Sequence, residues 1–203
     1  MIHSTFTSLT FLALFASERP AEFRHDPERI ATIAIAAERA QSAVIAQWHR
    51  HPRLLGAALA VTVLRESNLL EGVHSGEVRG PTDDVCLVQI NRGNTIWRNW
   101  AESRDALAGL DIVPTSACLG AGLETLMAMD RYCAQRPRRN WLAQMFSGYA
   151  GTRCRLTGDA LSRAAETNRL AWTDWQPTDA HAQAVAWALN SERVAFVEGL
   201  TRI

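Results

Sequence analysis

Lysine is absent from the 203-residue chain, and arginine supplies all 21 of its Lys and Arg positions. Asp and Glu together also number 21, so the formal net charge is zero and the isoelectric point is near 7. A chain without an excess of either sign has no overall field that attracts nucleic acid or an anionic membrane surface. We therefore expect neither of these partners.

Two sequence features that would indicate a zinc site or a membrane span are also missing. The four cysteines, at positions 86, 118, 133 and 154, include no Cys-x-x-Cys pair, so we expect no metal site and no cofactor. No apolar run approaches the roughly 18 residues of a membrane-spanning helix. An even number of cysteines favours two disulfides in an exported protein, and four unpaired buried thiols are the alternative.

The length and the apolar fraction of 47% suit one domain with a substantial core. We predict a single domain over residues 25–203, preceded in residues 1–24 by an N-terminal extension or a weak signal-like segment. That segment has a short apolar run with no Lys or Arg before it, which is a poor match to a secretory signal. This weak signal-like segment and the even cysteine count together favour a periplasmic or secreted protein.

Helical signals dominate the chain and predict a mainly α fold. Asp26-Pro27-Glu28 supplies a cap, a first-turn proline and an acidic first turn for a helix that runs to about Trp48. A second helix, at about 53–68, is apolar nearly all round and is therefore predicted to be buried and central. Residues 70–95 are predicted to form an irregular loop or short hairpin. Further helices are predicted from 114–116 to about 133, around 141–146, over 158–172 and over about 178–200.

The apolar second helix ends on Arg65-Glu66-Ser67. A carboxylate near a helix C-terminus is opposed by the macrodipole, and apolar surroundings oppose its charge further. Both effects favour the neutral carboxyl, so we expect Glu66 to keep a proton near neutral pH and to act as a general acid. Position alone also allows a surface ion pair between Glu66 and Arg53 or Arg65.

Two later segments follow Glu66-Ser67 in a recognisable order. The first is Leu87-Val88-Gln89-Ile90-Asn91, and the second is the turn Gly148-Tyr149-Ala150-Gly151. This order resembles the lysozyme-like superfamily, specifically the lytic transglycosylases of the soluble-transglycosylase type and their relatives in secretion systems. The resemblance covers about residues 52–155, and the helices predicted over 158–200 follow it. The sequence departs from the family pattern in two places: Cys86 stands where a Gly is usual, and the Asn of the tyrosine turn is missing or shifted.

The resemblance implies a lysozyme-like fold and cleavage of the β-1,4 glycan strands of peptidoglycan. Glu66 would protonate the oxygen between N-acetylmuramic acid and N-acetylglucosamine, then act as base while the muramyl C6 hydroxyl attacks C1. The product is a 1,6-anhydro sugar, so one carboxyl suffices where most glycosidases use two. Gln89 and Asn91 would present amides to the glycan, and Tyr149 would hydrogen-bond Glu66. Ser67 would contact the substrate or support the site.

Each of these supporting residues also has a purely structural interpretation. Gln89 and Asn91 are suitable turn and cap residues, Tyr149 is a suitable core aromatic with a satisfied hydroxyl, and Ser67 is a suitable helix-end residue. Trp97 and Trp100 form either a sugar-stacking platform or part of the core.

Rival functions also remain open on the sequence. Asp83 or Asp84 could activate water and make the protein a hydrolytic muramidase, although both also suit a solvated turn. An inactive glycan-binding or structural helical protein is a further alternative. The sequence also leaves open a secretion-system or cell-envelope partner and the oligomeric state.

The predicted helix that ends at Cys133 limits how the cysteines can pair. Cys118 and Cys133 would lie about 22 Å apart along it, beyond the roughly 7 Å that a disulfide allows between Cα atoms. Two connectivities are left. Within the frame of the resemblance we expect Cys86–Cys118 and Cys133–Cys154, the second of which would tie the tyrosine turn to the end of the preceding helix.

Overall fold

The computed structural model describes residues 27–75, 77–78, 80, 82–102, 115–136 and 140–172. Helices dominate this part of the chain, which confirms the mainly α class. They are α1 (Pro27–Val44), α2 (Pro52–Ser67), α3 (Glu71–Ser75), α4 (Thr95–Glu102), α5 (Thr115–Cys133), α6 (Trp141–Tyr149) and α7 (Gly158–Trp172), with a 3-10 turn at Ile45–Gln47. The predictions for residues 1–24 and for a helix over about 178–200 lie outside the described residues.

The only β-structure in the described residues is a short antiparallel hairpin. Its strands are β1 (Asp84–Val85) and β2 (Ile90–Asn91), with Asp84 opposite Asn91 and Val85 opposite Ile90. The hairpin lies within the 70–95 region for which the sequence predicted a loop or short hairpin. That prediction missed α3 and the start of α4.

Helix α2 is central and buried, as its sequence predicted. Every residue from Leu55 to Val63 is buried. The helix begins at Pro52, whose fixed φ suits the first helical position, and the imidazole Nδ1 of His51 accepts a hydrogen bond from the Arg53 N–H. It ends where Asn68 takes the left-handed conformation, with φ of 52°, because Asn tolerates that region better than most residues. The burial of this one helix provides much of the core.

Helices α1, α5 and α7 pack directly against α2. Helix α5 packs against α1, α4 and α6, while α7 packs against α2 and α6. Trp97 of α4 is only 4% exposed and belongs to the core, so the structure supports the core interpretation for this residue. The side chain of Trp100 lies outside the described part of the chain.

A buried ion pair fixes the turn between α1 and α2 onto the rest of the fold. Asp130 of α5 is 2% exposed, and Arg50 donates to both of its carboxylate oxygens, at 3.1 and 2.9 Å. The Arg50 guanidinium also lies 3.8 Å from the ring centroid of Trp141. His49 Nε2 lies 3.3 Å from Asp130 Oδ2. A buried carboxylate needs such partners, since leaving it unpaired is costly.

Both disulfides join elements that are distant in the chain. Cys86 is bonded to Cys118 and Cys133 to Cys154, which are the pairs that the sequence led us to expect. Within the described residues, no helix has the length and apolar character needed to cross a membrane.

Candidate active site

Glu66 occupies the last turn of α2, immediately before the helix is forced to stop. Asn68 and Leu69 both have positive φ, of 52° and 58°, and Arg29 of α1 donates to the Leu69 carbonyl at 2.7 Å. The Ser67 hydroxyl donates to the Val63 carbonyl and accepts from the Leu69 N–H. Ser67 is 3% exposed, and these bonds match its structural interpretation as a helix-end residue.

The carboxyl of Glu66 is held by an arginine that the sequence analysis did not single out. Arg163 Nη1 donates to Glu66 Oε1 at 2.6 Å, and Arg163 Nε donates to Asp159 Oδ2 at 2.8 Å. The Glu66 side chain is 23% exposed and that of Arg163 is 11% exposed. Burial acts to lower the pKa of Arg163, but the hydrogen bonds and negative charges of Glu66 and Asp159 raise it overall.

This pairing differs from both interpretations of Glu66 that its sequence position allowed. The sequence predicted apolar surroundings for the Glu66 carboxyl, but the guanidinium of Arg163 lies beside it. Arg65, one of the partners considered, instead pairs with Glu166 of α7 at 3.0 Å. The sequence position of Glu66 did not predict this pairing, because Arg163 lies 97 residues away in the sequence. A signal was nevertheless present in α7, where Arg163 lies on the buried stripe of Ala160, Ala164 and Thr167, and a charge on such a stripe requires a counter-charge.

The turn between the two strands overlaps the segment Leu87–Asn91, whose Gln89 and Asn91 the sequence analysis singled out. The Gln89 N–H donates to the Cys86 carbonyl at 3.0 Å, which closes the turn. Cys86 has a φ of 60°, a conformation that glycine adopts with the least strain, and its disulfide to Cys118 anchors the turn to α5. Val88 packs so closely on Gly122 of α5 that a Cβ there would lie 2.8 Å from Val88 Cγ1.

The tyrosine turn is the C-terminal cap of α6. The Thr152 N–H donates to the Ser147 carbonyl and the Gly151 N–H donates to the Gly148 carbonyl, which is the bonding pattern of a Schellman motif. Gly151 supplies the left-handed residue that this motif requires, with φ of 73°. Tyr149 is therefore fixed in the last helical turn, and the Cys133–Cys154 bridge ties the following segment to the end of α5.

The hydroxyl of Tyr149 links this cap to the hairpin. It donates to the carbonyl oxygen of Val88 at 2.6 Å. Burial is the main cause that raises the pKa of Tyr149 well above its ordinary value, and the negative charges of Glu66 and Asp84 raise it further, while the positive charge of Arg163 lowers it. Glu66, Asp84 and Arg163 therefore all lie within electrostatic range of the phenol. The expected hydrogen bond from Tyr149 to Glu66 is replaced by one to the hairpin.

The amides of Gln89 and Asn91 make bonds within the hairpin. Gln89 Nε2 donates to the Cys86 carbonyl at 3.0 Å. Asn91 Nδ2 donates to the Thr82 carbonyl, and Asn91 Oδ1 accepts from the Gly93 N–H at 2.8 Å. These are the bonds of turn residues, so both side chains at least shape the hairpin.

The two aspartates before β1 have different surroundings. Asp83 is exposed, with φ of 59°. Asp84 is partly buried, accepts a hydrogen bond from the Thr82 hydroxyl, and contributes negative charge at Tyr149. Of the two, Asp84 is therefore the one associated with the Glu66 region. Among the described residues, no group of three or more His, Cys, Asp and Glu side chains is arranged to hold a metal ion.

The chemistry-bearing segments thus converge from four parts of the chain. The end of α2 provides Glu66, the hairpin turn provides Val88 and Gln89, the α6 cap provides Tyr149, and α7 provides Arg163. A carboxyl held by a guanidinium near a buried phenol is a cluster of titratable groups of the kind found at functional sites. Comparisons of the chain with protein-family models, with curated proteins and with solved structures give no match.

Proposed function

We propose that the protein is a lysozyme-like, peptidoglycan-cleaving glycosidase, in which Glu66 is the single catalytic carboxyl of a lytic transglycosylase. The observation that carries the proposal is the convergence of the three resemblance segments. The charge of Glu66 acts on Tyr149, and Tyr149 bonds the segment Leu87–Asn91 through Val88. Glu66 and Tyr149 are 83 positions apart in the chain, and the fold brings them within electrostatic range of each other.

The proposed reaction uses one proton that Glu66 gives and then recovers. The protonated carboxyl donates to the glycosidic oxygen between N-acetylmuramic acid and N-acetylglucosamine as the bond from that oxygen to muramyl C1 breaks. The carboxylate then removes the proton of the muramyl C6 hydroxyl as its oxygen attacks C1. The products are a 1,6-anhydromuramyl end and a free N-acetylglucosamine end, and no water is consumed.

The hairpin and the α6 cap form the frame of this reaction. The hydrogen bond from Tyr149 to Val88 attaches the turn to α6, and the Cys86–Cys118 bridge attaches it to α5. These attachments matter because small displacements of reacting groups cost large factors in rate. Gln89 and Asn91 lie in and beside the turn, and each amide has donor and acceptor capacity beyond its bonds within the hairpin that suits the N-acetyl and hydroxyl groups of the glycan. The two disulfides also support a periplasmic or secreted location, where peptidoglycan is found.

The proposal is tested with purified sacculi and the Glu66→Gln variant. An amide cannot donate the required proton, and general acid catalysis contributes about 10²–10⁴-fold, so release of soluble muropeptides should fall by at least about 100-fold. Glu71→Gln is the matched control, since Glu71 is exposed and lies five residues further along the chain. Equal release by the wild type and Glu66→Gln would refute the enzymatic proposal and leave an inactive glycan-binding or structural protein.

A hydrolytic muramidase is the second candidate, because the negative charge of Asp84 also acts on Tyr149. In an inverting hydrolase Asp84 would activate water on the opposite face of the sugar from Glu66. Asp84→Asn should then abolish activity as fully as Glu66→Gln does. A transglycosylase needs no such base, so Asp84→Asn should retain at least a tenth of wild-type activity. Asp83→Asn controls for the loss of a neighbouring charge in either case.

A further inference from the structure

The ion pair between α2 and α7 has a specific consequence for the proposed acid. The Nη1 of Arg163 lies 2.6 Å from Oε1 of the carboxyl that is proposed as the acid, whereas the sequence predicted apolar surroundings there. Arg163 is one of the few charged side chains buried among the described residues. Its guanidinium binds a second carboxylate as well, because the Arg163 Nε donates a hydrogen bond to Asp159 Oδ2 at 2.8 Å.

We propose that Arg163 is a positioning residue, which holds the catalytic carboxyl of Glu66 through one edge of its guanidinium while Asp159 holds the other edge. The proposal rests on the function proposed above. The planar fork of arginine presents donors in fixed directions, so the two carboxylates together fix its orientation. The guanidinium in turn fixes Glu66 Oε1, and the second carboxylate oxygen takes no part in that hydrogen bond.

The two carboxylates compete for the same positive charge. Glu66 is mostly buried, whereas Asp159 is 52% exposed and its contribution is weakened by solvent. Other charged or titratable groups in the described part of this region have partners or positions of their own. Arg65 is paired with Glu166 between the same two helices, while Tyr149 of α6 and Asp84 of β1 face the site from the opposite elements.

This arrangement predicts opposite effects for two substitutions on the pH profile of the reaction. The alkaline limb of kcat/KM reports the loss of the proton that the acid must donate. Arg163→Met removes the cation that favours the ionised carboxyl, so the limb should move to higher pH by about one unit or more. Asp159→Asn leaves the full charge of Arg163 to Glu66, so the limb should move to lower pH by a smaller amount.

The charge and the geometry of Arg163 can be separated with lysine. Arg163→Lys keeps the positive charge but loses the fork that spans two carboxylates. Its alkaline limb should therefore stay near that of the wild type, while the plateau of kcat/KM at lower pH falls about 10-fold or more, as it does in Arg163→Met.

The experiment measures the initial rate of soluble muropeptide release from purified sacculi against pH, at substrate concentrations where the rate is proportional to substrate. Arg65→Met is the matched control, because it removes the neighbouring α2–α7 ion pair without touching Glu66. An upward shift in Arg163→Met with none in Arg65→Met supports the proposal. Coincident limbs in the two variants overturn it and leave Arg163 as a structural link between helices.

Two further outcomes keep the test decisive. If Arg163→Met does not fold, Asp159→Asn alone decides, because its side chain is half exposed; a downward shift supports the proposal and an unchanged limb overturns it. Failure of the proposed function has a different signature. In that case Glu66→Gln and the wild type release equal amounts of soluble muropeptide, whereas failure of the Arg163 proposal alone leaves the loss of release in Glu66→Gln unchanged.

Discussion

The hydrogen bond from Tyr149 to Val88 allows a quantitative test of how the site is held together. Tyr149→Phe keeps the ring and removes only the hydroxyl that donates to the Val88 carbonyl at 2.6 Å. Val88 is fully buried, so its carbonyl loses a bond that water cannot easily replace. Leaving a buried acceptor unpaired costs about 1–3 kcal/mol. For a chain of this length each kcal/mol corresponds to roughly 2–4 °C in Tm.

The chain provides its own control for this substitution. Its only other tyrosine is Tyr132, which is 53% exposed, and Tyr132→Phe should change the free energy of unfolding by no more than about 0.5 kcal/mol. Thermal or urea unfolding followed by circular dichroism measures both variants. If Tyr149→Phe proves as stable as Tyr132→Phe, the bond does not hold the hairpin to α6 and the reasoning is wrong.

The same residue should give the wild type a distinctive dependence on alkaline pH. Because the folded-state pKa of Tyr149 is raised, the folded protein keeps this proton above about pH 10, where the unfolded chain loses it. The stabilising contribution is therefore complete below about pH 10, and above it falls by about 1.4 kcal/mol per pH unit. The stability advantage of the wild type over Tyr149→Phe should shrink at that rate. A difference that stays constant between pH 9 and 11 would contradict the assigned burial and charges.

Two further substitutions test the packing that supports the site. Arg50→Met should cost about 3 kcal/mol in unfolding free energy, because it leaves the buried Asp130 without its bidentate partner; a loss below about 1 kcal/mol, measured by urea unfolding, would contradict this. Gly122→Ala would normally stabilise a helix by about 1 kcal/mol, but here the new Cβ meets Val88 at 2.8 Å, so we expect a net loss of about 1–3 kcal/mol. A Gly122→Ala variant with a Tm equal to or above that of the wild type would show that the turn moves freely away from α5.

The helices that the sequence predicted are those with strong local signals. The nearly all-round apolar composition predicted α2 to within a residue at each end, and the predicted helix from 114–116 to about 133 matches α5. Helix α4 was missed because Thr95–Glu102 is short and mixes charged residues with its two tryptophans. Helix α3 has only five residues within a Gly-rich stretch. In both, packing against the rest of the fold overrides weak local preference.

The parts of the candidate site that consist of local motifs were predictable from the sequence. The contacts between residues far apart in the sequence were not. The segment around Gln89 and the cap around Tyr149 carry turn chemistry that is visible in the sequence. The hydrogen bond from Tyr149 to Val88 spans 61 residues of sequence, and the pairing of Glu66 with Arg163 spans 97. Such contacts follow from how helices pack, which periodicity alone does not specify.

The central claim is that Glu66 supplies the proton for glycan cleavage without water. The most direct measurement is the mass spectrum of the sugar ends released from purified sacculi by the wild type and by Glu66→Gln. We expect 1,6-anhydromuramyl ends from the wild type, each lighter by one water than a reducing end, and their near-complete loss in the variant. Reducing ends from the wild type would contradict the transglycosylase mechanism. Absence of released sugar from the wild type, or equal release by the two proteins, would contradict the enzymatic account altogether.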